Sequence, residues 1–245
     1  MMALYDTIGV DYANLRKPDS RIAEQVDEAL GNAQTVLNVG AGAGSYEPTS
    51  RQVTALEPSA EMIAQRPTGS APVVQGSAEN LPFEDNSFDA VMAILTIHHW
   101  SDQAKGLAEM RRVARDRVAM LTFDPSFREM WQLDYWPGLA ALDDAAMPSM
   151  DFYAQHLGEV RIEPILIPHD CSDGFLYAYW RRPQAYLDQR IRKGSSSFWA
   201  LDAVEDGAQR LEADLASGAW AQQNAALLDA ESADMGYRLV IAEPS

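Results

Sequence analysis

The stretch Val36-Leu37-Asn38-Val39-Gly40-Ala41-Gly42-Ala43-Gly44-Ser45 decides the fold of this protein. An apolar run that predicts a buried strand passes directly into glycines at alternate positions. Because glycine lacks a Cβ atom, such a loop can turn sharply and let a ligand lie against its main chain. The stretch therefore predicts a ligand site at the end of the first strand.

The glycine spacing distinguishes two kinds of nucleotide site. The dinucleotide pattern G-x-G-x-x-G, which brings a pyrophosphate to a helix amino terminus, requires a glycine where this chain has Ser45. Only about a dozen residues, Pro48 among them, run from Gly40 to the next strand at Gln52, so we predict a first helix of about one or two turns. The loop thus favours a ligand without phosphates.

Short apolar runs alternate with helical patterns around this loop, which predicts a doubly wound α/β fold with a seven-stranded, Rossmann-like sheet. Capping residues predict helices after Asp19 or Ser20, over 60–65 after Ser59, and from Asp102 to Arg115. The predicted strands are Thr35–Val39, Gln52–Leu56, Pro72–Gln75, Phe88–Leu95, Arg117–Phe123, Val160–Ile167 and Tyr237–Ala242.

The second half of the chain predicts a mostly helical cap, made of residues 125–150 after strand 5 and residues 169–235 between strands 6 and 7. A cap over the carboxyl ends of the strands would cover the place where open α/β sheets bind ligands. The alternative is a set of packing layers without a role in the site. The predicted organisation is an N-terminal segment 1–34, a core 35–124, the first cap segment 125–150, a strand-6 region 151–168, the second cap segment 169–235 and a last strand 236–245.

Glu57 ends the second predicted strand, 17 residues after Gly40. In a doubly wound sheet this strand end lies beside the first loop, and a carboxylate there can accept hydrogen bonds from both ribose hydroxyls. A charged residue at a strand end can also be an ordinary solvated terminus. Together, the loop and Glu57 predict a nucleoside site.

Three motifs follow one another in the first half of the chain: Asn38 to Gly44, Leu56-Glu57-Pro58-Ser59 with Met62, and Gly76-Ser77-Ala78-Glu79-Asn80-Leu81-Pro82-Phe83 with Ser87-Phe88-Asp89. In this order they resemble the motifs of class I methyltransferases that depend on S-adenosylmethionine. The resemblance that they carry covers roughly residues 1 to 125. The chain is most similar to the ubiquinone/menaquinone-biosynthesis-like group, methyltransferase type 11. The resemblance implies a methyltransferase with S-adenosylmethionine as cofactor.

The resemblance also implies roles for individual residues. Asn38 stands where the family usually has an acidic residue, and it brings no charge to the sulfonium or ammonium side of the cofactor. Arg16 could pair with the cofactor carboxylate within a lid, the alternative being an aromatic-rich helix docked on the surface. The implied cofactor residues are Tyr5, Tyr12 and Arg16 in the lid; Asn38, Gly40, Ala41 and Gly42 at the methionine part; Glu57 and Pro58 at the ribose; Met62, Ser77, Ala78 and Glu79 at the adenine; and Leu95 and Thr96 after the fourth strand.

Methyl transfer from a sulfonium is an in-line displacement, to which proximity can contribute ~7–11 kcal/mol, and a base is needed only if the nucleophile has a proton to lose. His98 and His99 follow the fourth strand, where the resembling family has its methyl-transfer site. Because adjacent residues point apart, we expect one to face the pocket and the other to cap the next helix or pack beneath the loop. The geometry of the resembling family favours His99, and imidazole suits a base because its pKa is near neutral. His169 beside Asp170 is a further candidate base. His169 and Asp170 are neighbours that cannot easily share one ion, and no third ligand stands at a recognised spacing, so we predict no metal site.

Aromatic residues crowd the predicted cap: Phe127, Trp131, Tyr135, Trp136, Phe175, Tyr177, Tyr179 and Trp180. Their rings suit a flat apolar substrate or a cationic amine, and they equally suit a hydrophobic core between cap and sheet. The predicted substrate contacts are Trp100, Trp136, Asp170 and Tyr177.

Bulk composition restricts the partners. A formal net charge of -17 disfavours nucleic acids and anionic membranes. Cys171 is the single cysteine, and neither a signal-peptide pattern nor an apolar run of ~18 residues is present. We expect a cytoplasmic monomer or homodimer that acts on a small-molecule acceptor. The alternatives are a NAD-type oxidoreductase, opposed by Ser45 and the third motif, and a non-catalytic sensor of S-adenosylmethionine or S-adenosylhomocysteine.

Overall fold

The computed structural model describes residues 16–243 and has one seven-stranded sheet, in the order β3-β2-β1-β4-β5-β7-β6. The first five strands are parallel, and β7 runs antiparallel between β5 and β6. The predicted Rossmann-like α/β fold is confirmed. The strands are β1 Thr35–Val39, β2 Gln52–Glu57, β3 Val73–Gln75, β4 Phe88–Ile94, β5 Ala114–Phe123, β6 Val160–Pro168 and β7 Ser232–Ala242.

Two apolar cores cover the opposite faces of the sheet. Successive strand residues point to opposite faces, so Met92 contributes to one core and its neighbour Ala93 to the other. The first core packs against helix α1 (Ser20–Ala29) and the cap. The second packs against α3 (Gln103–Val113) and α6 (Met150–Leu157). Burial on both faces explains why the strands are nearly continuous apolar runs.

The helices begin at the predicted capping residues. The side chain of Asp19 accepts a hydrogen bond from the Arg21 amide, and Asp102 accepts one from the Lys105 amide. Ser59 in the same way caps α2 (Ala60–Ala64). Helix α3 ends at Val113 rather than at the predicted Arg115, because Ala114 already pairs with Phe88 in the sheet.

The connection from β1 to β2 contains no helix, so the predicted short helix is wrong. Gly40, Gly42 and Gly44 have φ angles of 69°, 53° and 97°, and Tyr46 has φ 62°. These left-handed residues interrupt the right-handed run that an α-helix requires. The chain instead forms turns that keep the main chain of the loop at the end of β1.

The cap consists of short helices joined by loops. Its second segment ends at residue 231, because β7 begins at Ser232 and not at the predicted Tyr237. The first residues of β7 pair with the end of β6 beyond a register shift, and their polar side chains hid this part of the strand from the apolar pattern. The cap helices are α4 Gln132–Tyr135, α5 Gly138–Ala146, α7 Gln189–Lys193, α8 Ser196–Trp199, α9 Val204–Ser217, α10 Ala219–Gln223 and α11 Ala225–Leu228, with a 3-10 turn over Pro183–Leu187.

Aromatic rings form the core of the cap. The Trp131 ring lies 5.5 Å from Tyr186 and 5.4 Å from Trp220, and the Trp136 ring lies 5.1 Å from Phe198, measured between centroids. All these contacts are edge-on, the favoured arrangement of packed rings. Core packing is therefore the correct alternative for Trp131 and Trp136.

Candidate active site

A cleft of about 700 Å³, here called the large cleft, lies at the carboxyl ends of β1, β2 and β4. Tyr5 and Tyr12 fall outside the described residues. Every other predicted cofactor residue lines this cleft: Arg16, Asn38, Gly40, Ala41, Gly42, Glu57, Pro58, Met62, Ser77, Ala78, Glu79, Leu95 and Thr96.

Glu57 connects the two loops that form the floor of the large cleft. Its Oε2 accepts a hydrogen bond from the Gly42 amide at 2.8 Å, and its Oε1 accepts one from the Ser59 amide at 2.9 Å. The side chain is buried. The two amides therefore fix the carboxylate at the floor of the large cleft.

Gly40 allows the close approach between β1 and the loop after β4. A Cβ atom at this position would lie 2.2 Å from Oγ1 of Thr96, and the φ angle of 69° disfavours any other residue. Gly40 thus packs against Thr96, and Gly40, Ala41 and Gly42 all line the large cleft.

Asn38 has a buried oxygen that lacks a partner among the described residues. Its Nδ2 donates to Oε1 of Glu47 at 3.2 Å, whereas its Oδ1 accepts no hydrogen bond from residues 16–243. An unsatisfied buried acceptor costs about 1–3 kcal/mol. Because Asn38 lines the large cleft, a ligand that donates a hydrogen bond to Oδ1 would recover this energy.

Glu47 is itself held by Arg66. The two side chains are buried and form an ion pair at 2.7 Å, and Nη1 of Arg66 donates to the Gly42 carbonyl at 3.3 Å. Sequence reasoning missed this pair, which supports the glycine loop from below.

A second space of about 300 Å³, here called the small cavity, adjoins the large cleft. The two share Arg16, Leu95, His98 and His99. The remaining walls of the small cavity come from the end of β5, from β7, from α5 and from the cap loops, and include Phe123, Asp143, Phe175, Tyr177, Ser195, Ser196, Ser197 and Tyr237.

The imidazoles of His98 and His99 both lie at the junction of the two spaces, with ring centroids 3.9 Å apart. The expectation that they point apart is wrong because Ile97–His99 form a 3-10 turn, which rotates successive side chains by about 120°. Burial, helped by the charge of Arg16, lowers the pKa of His99 to about 4. Burial also lowers the pKa of His98 well below its usual value. Both rings are neutral at pH 7, contrary to the near-neutral pKa expected of His99.

Asp143 is the carboxylate of the small cavity. Burial raises its pKa to about 6, and the Tyr177 hydroxyl donates to its Oδ2 at 2.8 Å. Sequence reasoning missed Asp143. Its spacing of four residues from the buried Leu139 in α5 was a usable signal, since such residues share one helix face.

Arg16 was predicted to pair with the carboxylate of the cofactor. In the structure it forms an ion pair with Asp173. Its Nε lies 2.6 Å from Oδ1 of the fully buried Asp173, whose Oδ2 accepts a hydrogen bond from the Tyr46 hydroxyl at 2.8 Å. These contacts join Arg16, the glycine loop and the cap at the edge of both spaces. The roles of Tyr46 and Asp173 were not predicted.

Three predicted site residues lie outside both spaces. His169 pairs with Glu231 at 3.4 Å, and the largely exposed Asp170 pairs with Arg21 at 2.8 Å. Both side chains lie in these ion pairs after the end of β6, and neither lines the large cleft or the small cavity. Trp136 lies in the cap core and donates to the Val204 carbonyl at 3.0 Å.

Of the other two predicted substrate contacts, Tyr177 lines the small cavity and Trp100 does not. Trp100 lines the large cleft, and its ring packs against Gly106, where a Cβ atom would lie 2.4 Å from the ring. The structure therefore brings Trp100 to the side of the site where the cofactor residues lie.

Among residues 16–243, no group of three or more His, Cys, Asp or Glu side chains is arranged to hold a metal ion. None of the helices in this described part is both long and apolar enough to span a membrane.

The sheet order, the glycine loop and the carboxylate at the end of β2 are typical of nucleoside-binding α/β proteins. The methyltransferase-domain family matches residues 37–121. A crystal structure of a candidate methyltransferase from an antibiotic biosynthesis pathway of Anabaena variabilis is 34% identical, covers 94% of this chain and 99% of that one, and superposes with a TM-score of 0.86. The chain belongs to the class I S-adenosylmethionine-dependent methyltransferases and is an enzyme of this kind.

Two further relatives place it more broadly. The demethylmenaquinone methyltransferase of Thermotoga maritima is 30% identical over 50% of this chain and 60% of its own length. The geranyl diphosphate C-methyltransferase of Streptomyces coelicolor, solved with S-adenosyl-L-homocysteine, covers 92% of this chain and 76% of that one at 14% identity and a TM-score of 0.51, which shows the shared fold alone. The chain spans between 24% and 60% of the length of the curated relatives that it matches.

Proposed function

We propose that the protein binds S-adenosylmethionine in the large cleft and transfers its methyl group to an O, N or C atom of a small molecule in the small cavity. The observation that carries this proposal is the junction of the two spaces at Arg16, Leu95, His98 and His99. A donor and an acceptor bound on either side of this junction would lie within reach of each other. When bound, S-adenosylmethionine supplies the methyl group as an activated sulfonium.

The residues of the large cleft fit this cofactor. Glu57 lines the cleft as a carboxylate fixed by two main-chain amides, a group that suits ribose hydroxyls. Oδ1 of Asn38, which accepts no hydrogen bond from residues 16–243, suits a donor such as the cofactor ammonium. Met62 and Pro58 supply apolar surface for the adenine side of the cleft. Asn38 offers a hydrogen bond where the family usually has a charge, and Glu47 orients it by accepting a hydrogen bond from its Nδ2.

The side chains at the junction act by positioning and by excluding water. Holding the nucleophile in line with the methyl carbon supplies most of the rate enhancement, on the order of 7–11 kcal/mol. The neutral imidazoles of His98 and His99 can accept a hydrogen bond from the acceptor without placing a positive charge beside the sulfonium. Arg16, held by Asp173, closes the outer edge.

The acceptor is proposed to be a small molecule, because a chain with a net charge of -17 repels polyanions. The antibiotic biosynthesis pathway named for the Anabaena variabilis relative supports the same class. We propose a cytoplasmic enzyme that acts without nucleic acid or membrane, as a monomer or homodimer.

Ligand binding and the Glu57→Ala variant test the cofactor assignment. S-adenosylmethionine and S-adenosylhomocysteine are expected to raise the melting temperature of the wild type, and NAD is not, because only ligands of the native state stabilise it. In Glu57→Ala we expect calorimetry to give affinity for S-adenosylhomocysteine that is weaker by about 100-fold or more, since two charge-assisted hydrogen bonds at about 1.5–3 kcal/mol each are lost.

The matched control is Glu84→Ala, which removes an exposed carboxylate outside the cleft and leaves the affinity unchanged. Stabilisation by NAD alone would favour the oxidoreductase. Near-wild-type affinity in Glu57→Ala would show that Glu57 does not bind the ribose. Cofactor binding without methyl transfer to any compound of a metabolite extract would favour the non-catalytic sensor.

A further inference from the structure

Asp143 is a carboxylate that the proposed methyl transfer has not yet used. It lies in the small cavity and is 5% exposed. Its one described hydrogen-bond partner is the Tyr177 hydroxyl, which donates to Oδ2 at 2.8 Å. No lysine, arginine or histidine in residues 16–243 forms an ion pair with it, and residues 1–15 contain none of these residue types. The nearby Arg128 pairs at 2.5 Å with Asp144 on the outside of the helix.

The charges of the described residues that line the small cavity leave the carboxylate of Asp143 without a counterion. Among residues 16–243, the only permanent cation that lines the cavity is Arg16, and it contacts the fully buried Asp173 at 2.6 Å. His98 and His99 are neutral at pH 7 because burial lowers the pKa of each ring. Burial raises the pKa of Tyr177 and of Tyr237, so both hydroxyls also stay neutral. An ionised Asp143 therefore gives the small cavity a net negative charge.

The aromatic walls of the cavity suit a cation as well. Phe123, Phe175, Tyr177 and Tyr237 are buried and all line it. The Phe123 ring lies 5.3 Å from Tyr177 and 5.5 Å from Tyr237, and the Phe175 ring lies 4.6 Å from Tyr237. A carboxylate framed by aromatic faces is how proteins recognise ammonium groups. The guanidinium carbon of Arg16 already lies 6.0 Å from the centre of the Phe175 ring, which shows that this wall accepts a positive charge.

We infer that the methyl acceptor is a small aromatic or apolar amine, which enters the small cavity as an ammonium ion and is bound by Asp143 and the surrounding rings. This inference rests on the proposed function, and it specifies the acceptor as a nitrogen. Electrostatic steering favours the same acceptor, since a net charge of -17 attracts cations toward the protein surface.

One ammonium proton passes to the Asp143 carboxylate, a step favoured by repulsion between the ammonium and the sulfonium across the junction. The amine lone pair then attacks the methyl carbon. A C–N bond forms, the C–S bond breaks with its electron pair going to sulfur, and the products are an N-methylammonium ion and S-adenosylhomocysteine. Asp143 returns its proton to solvent after release of the products.

Matched probes separate an ammonium site from its alternatives. We would measure binding of 2-phenylethylamine, 2-phenylethanol, phenylacetate and phenyltrimethylammonium by calorimetry at pH 7.5, with the wild type saturated with S-adenosylhomocysteine. We expect the two cations to bind at least about 10-fold more tightly than the alcohol and the anion, one unit of favourable charge being worth this much in a desolvated site. In Asp143→Asn the preference is expected to fall below about 2-fold.

The adjacent acid gives a control on the same helix. Asp144→Asn removes an exposed carboxylate that does not line the cavity, and it should keep the preference for cations. Because the charge of phenyltrimethylammonium does not titrate, loss of its binding as the pH falls through about 6 reports protonation of Asp143. Among the other titratable groups that residues 16–243 bring to the cavity, Arg16 stays charged. The pKa values of His98 and His99 are lowered by burial and those of Tyr177 and Tyr237 are raised by it, which moves their titrations away from that of Asp143.

The outcomes are distinct. Failure of S-adenosylhomocysteine to bind the wild type overturns the proposed function and this inference with it. Normal S-adenosylhomocysteine binding, combined with an equal or stronger response to the alcohol or the anion, overturns the inference alone. So does a preference for cations that survives in Asp143→Asn, or the absence of binding by both cations at millimolar concentration.

Discussion

At the scale of single residues, the site contains polar groups that destabilise the free protein. The carboxylate of Asp143 is buried without a described counterion, and Oδ1 of Asn38 is buried without a described donor. Such groups persist where a ligand supplies the missing interaction. Their positions, one in the small cavity and one in the large cleft, match the two ligands of the proposed reaction.

Asp143→Asn is expected to stabilise the protein at alkaline pH. Burial raises the pKa of Asp143 from 3.8 to about 6 in the folded state, so the folded state holds its proton to higher pH than the unfolded chain. The stability that this gives is full below the unfolded value and is lost as the pH rises through about 6. Asparagine does not titrate. The free energy of unfolding of the variant, relative to wild type, should therefore rise by about 2–3 kcal/mol between pH 4 and pH 8.

Urea unfolding at both pH values measures this difference. Asp144→Asn is the control, because that exposed side chain pairs with Arg128 at the surface and should show no such rise. A constant difference between wild type and Asp143→Asn across the pH range would show that Asp143 is ionised normally.

At the scale of elements, close contacts between secondary structures require particular glycines. Gly40 lets the end of β1 approach the loop after β4 closely, and Gly207 lets α9 pack closely against the aromatic core of the cap. The glycine loop also replaces the helix that most βαβ crossovers have. Its hydrogen bonds run instead to β2, where the Gly40 amide donates to the Leu56 carbonyl at 2.8 Å.

Gly207→Ala is expected to destabilise the cap, although alanine is the better helix former by about 1 kcal/mol. The added Cβ would lie 2.3 Å from Nε1 of Trp136 and 2.6 Å from the Tyr135 carbonyl oxygen. Because a main-chain atom cannot rotate away, overpacking should lower the free energy of unfolding by about 1–3 kcal/mol.

Chemical denaturation followed by tryptophan fluorescence tests this expectation. Glu212→Ala, on the exposed side of the same helix, should stay within about 0.5 kcal/mol of wild type. If Gly207→Ala proved as stable as Glu212→Ala, the contact between α9 and Trp136 would be looser than the structure shows.

At the scale of the whole molecule, buried Asp173 links three distant parts of the chain. It lies in the second cap segment, contacts Arg16 at 2.6 Å and accepts a hydrogen bond from Tyr46 after the glycine loop. Asp19, before α1, accepts a further bond from the Ser172 amide at 3.1 Å. The cap is thereby attached to the loop that forms the large cleft.

Asp173→Asn should loosen the cap and the glycine loop together. Removing one partner of a buried ion pair typically costs about 3–5 kcal/mol, so we expect a comparable loss in the free energy of unfolding. Hydrogen exchange should accelerate over residues 42–46 and 171–178 in parallel. Asp170→Asn, at the exposed neighbouring carboxylate, is the control and should leave exchange unchanged. Acceleration confined to the cap would contradict the linkage.

Prediction from sequence succeeded where a residue contacts its near neighbours in the chain or in the sheet. Apolar periodicity found all seven strands, and side-chain capping found the starts of α1, α2 and α3. It failed for the β1–β2 connection, because the backbone angles of Gly44 and Tyr46 are not visible in a residue pattern. It also missed the start of β7, where Ser232 and Asp234 pair with β6 across the 63 residues 169–231, far beyond a local hairpin.

The sequence by itself determined the fold and the large cleft. In a doubly wound sheet the carboxyl ends of neighbouring parallel strands lie side by side, so residues that end those strands, such as Asn38, the glycine loop and Glu57, come together. Only the tertiary structure decided the small cavity. Asp143, Phe175 and Tyr237 come from a helix, a loop and a strand that are far apart in the chain, and they meet through packing of the cap on the sheet. Burial there also gave His99 and Asp143 pKa values that composition cannot reveal, since desolvation depends on what surrounds a group.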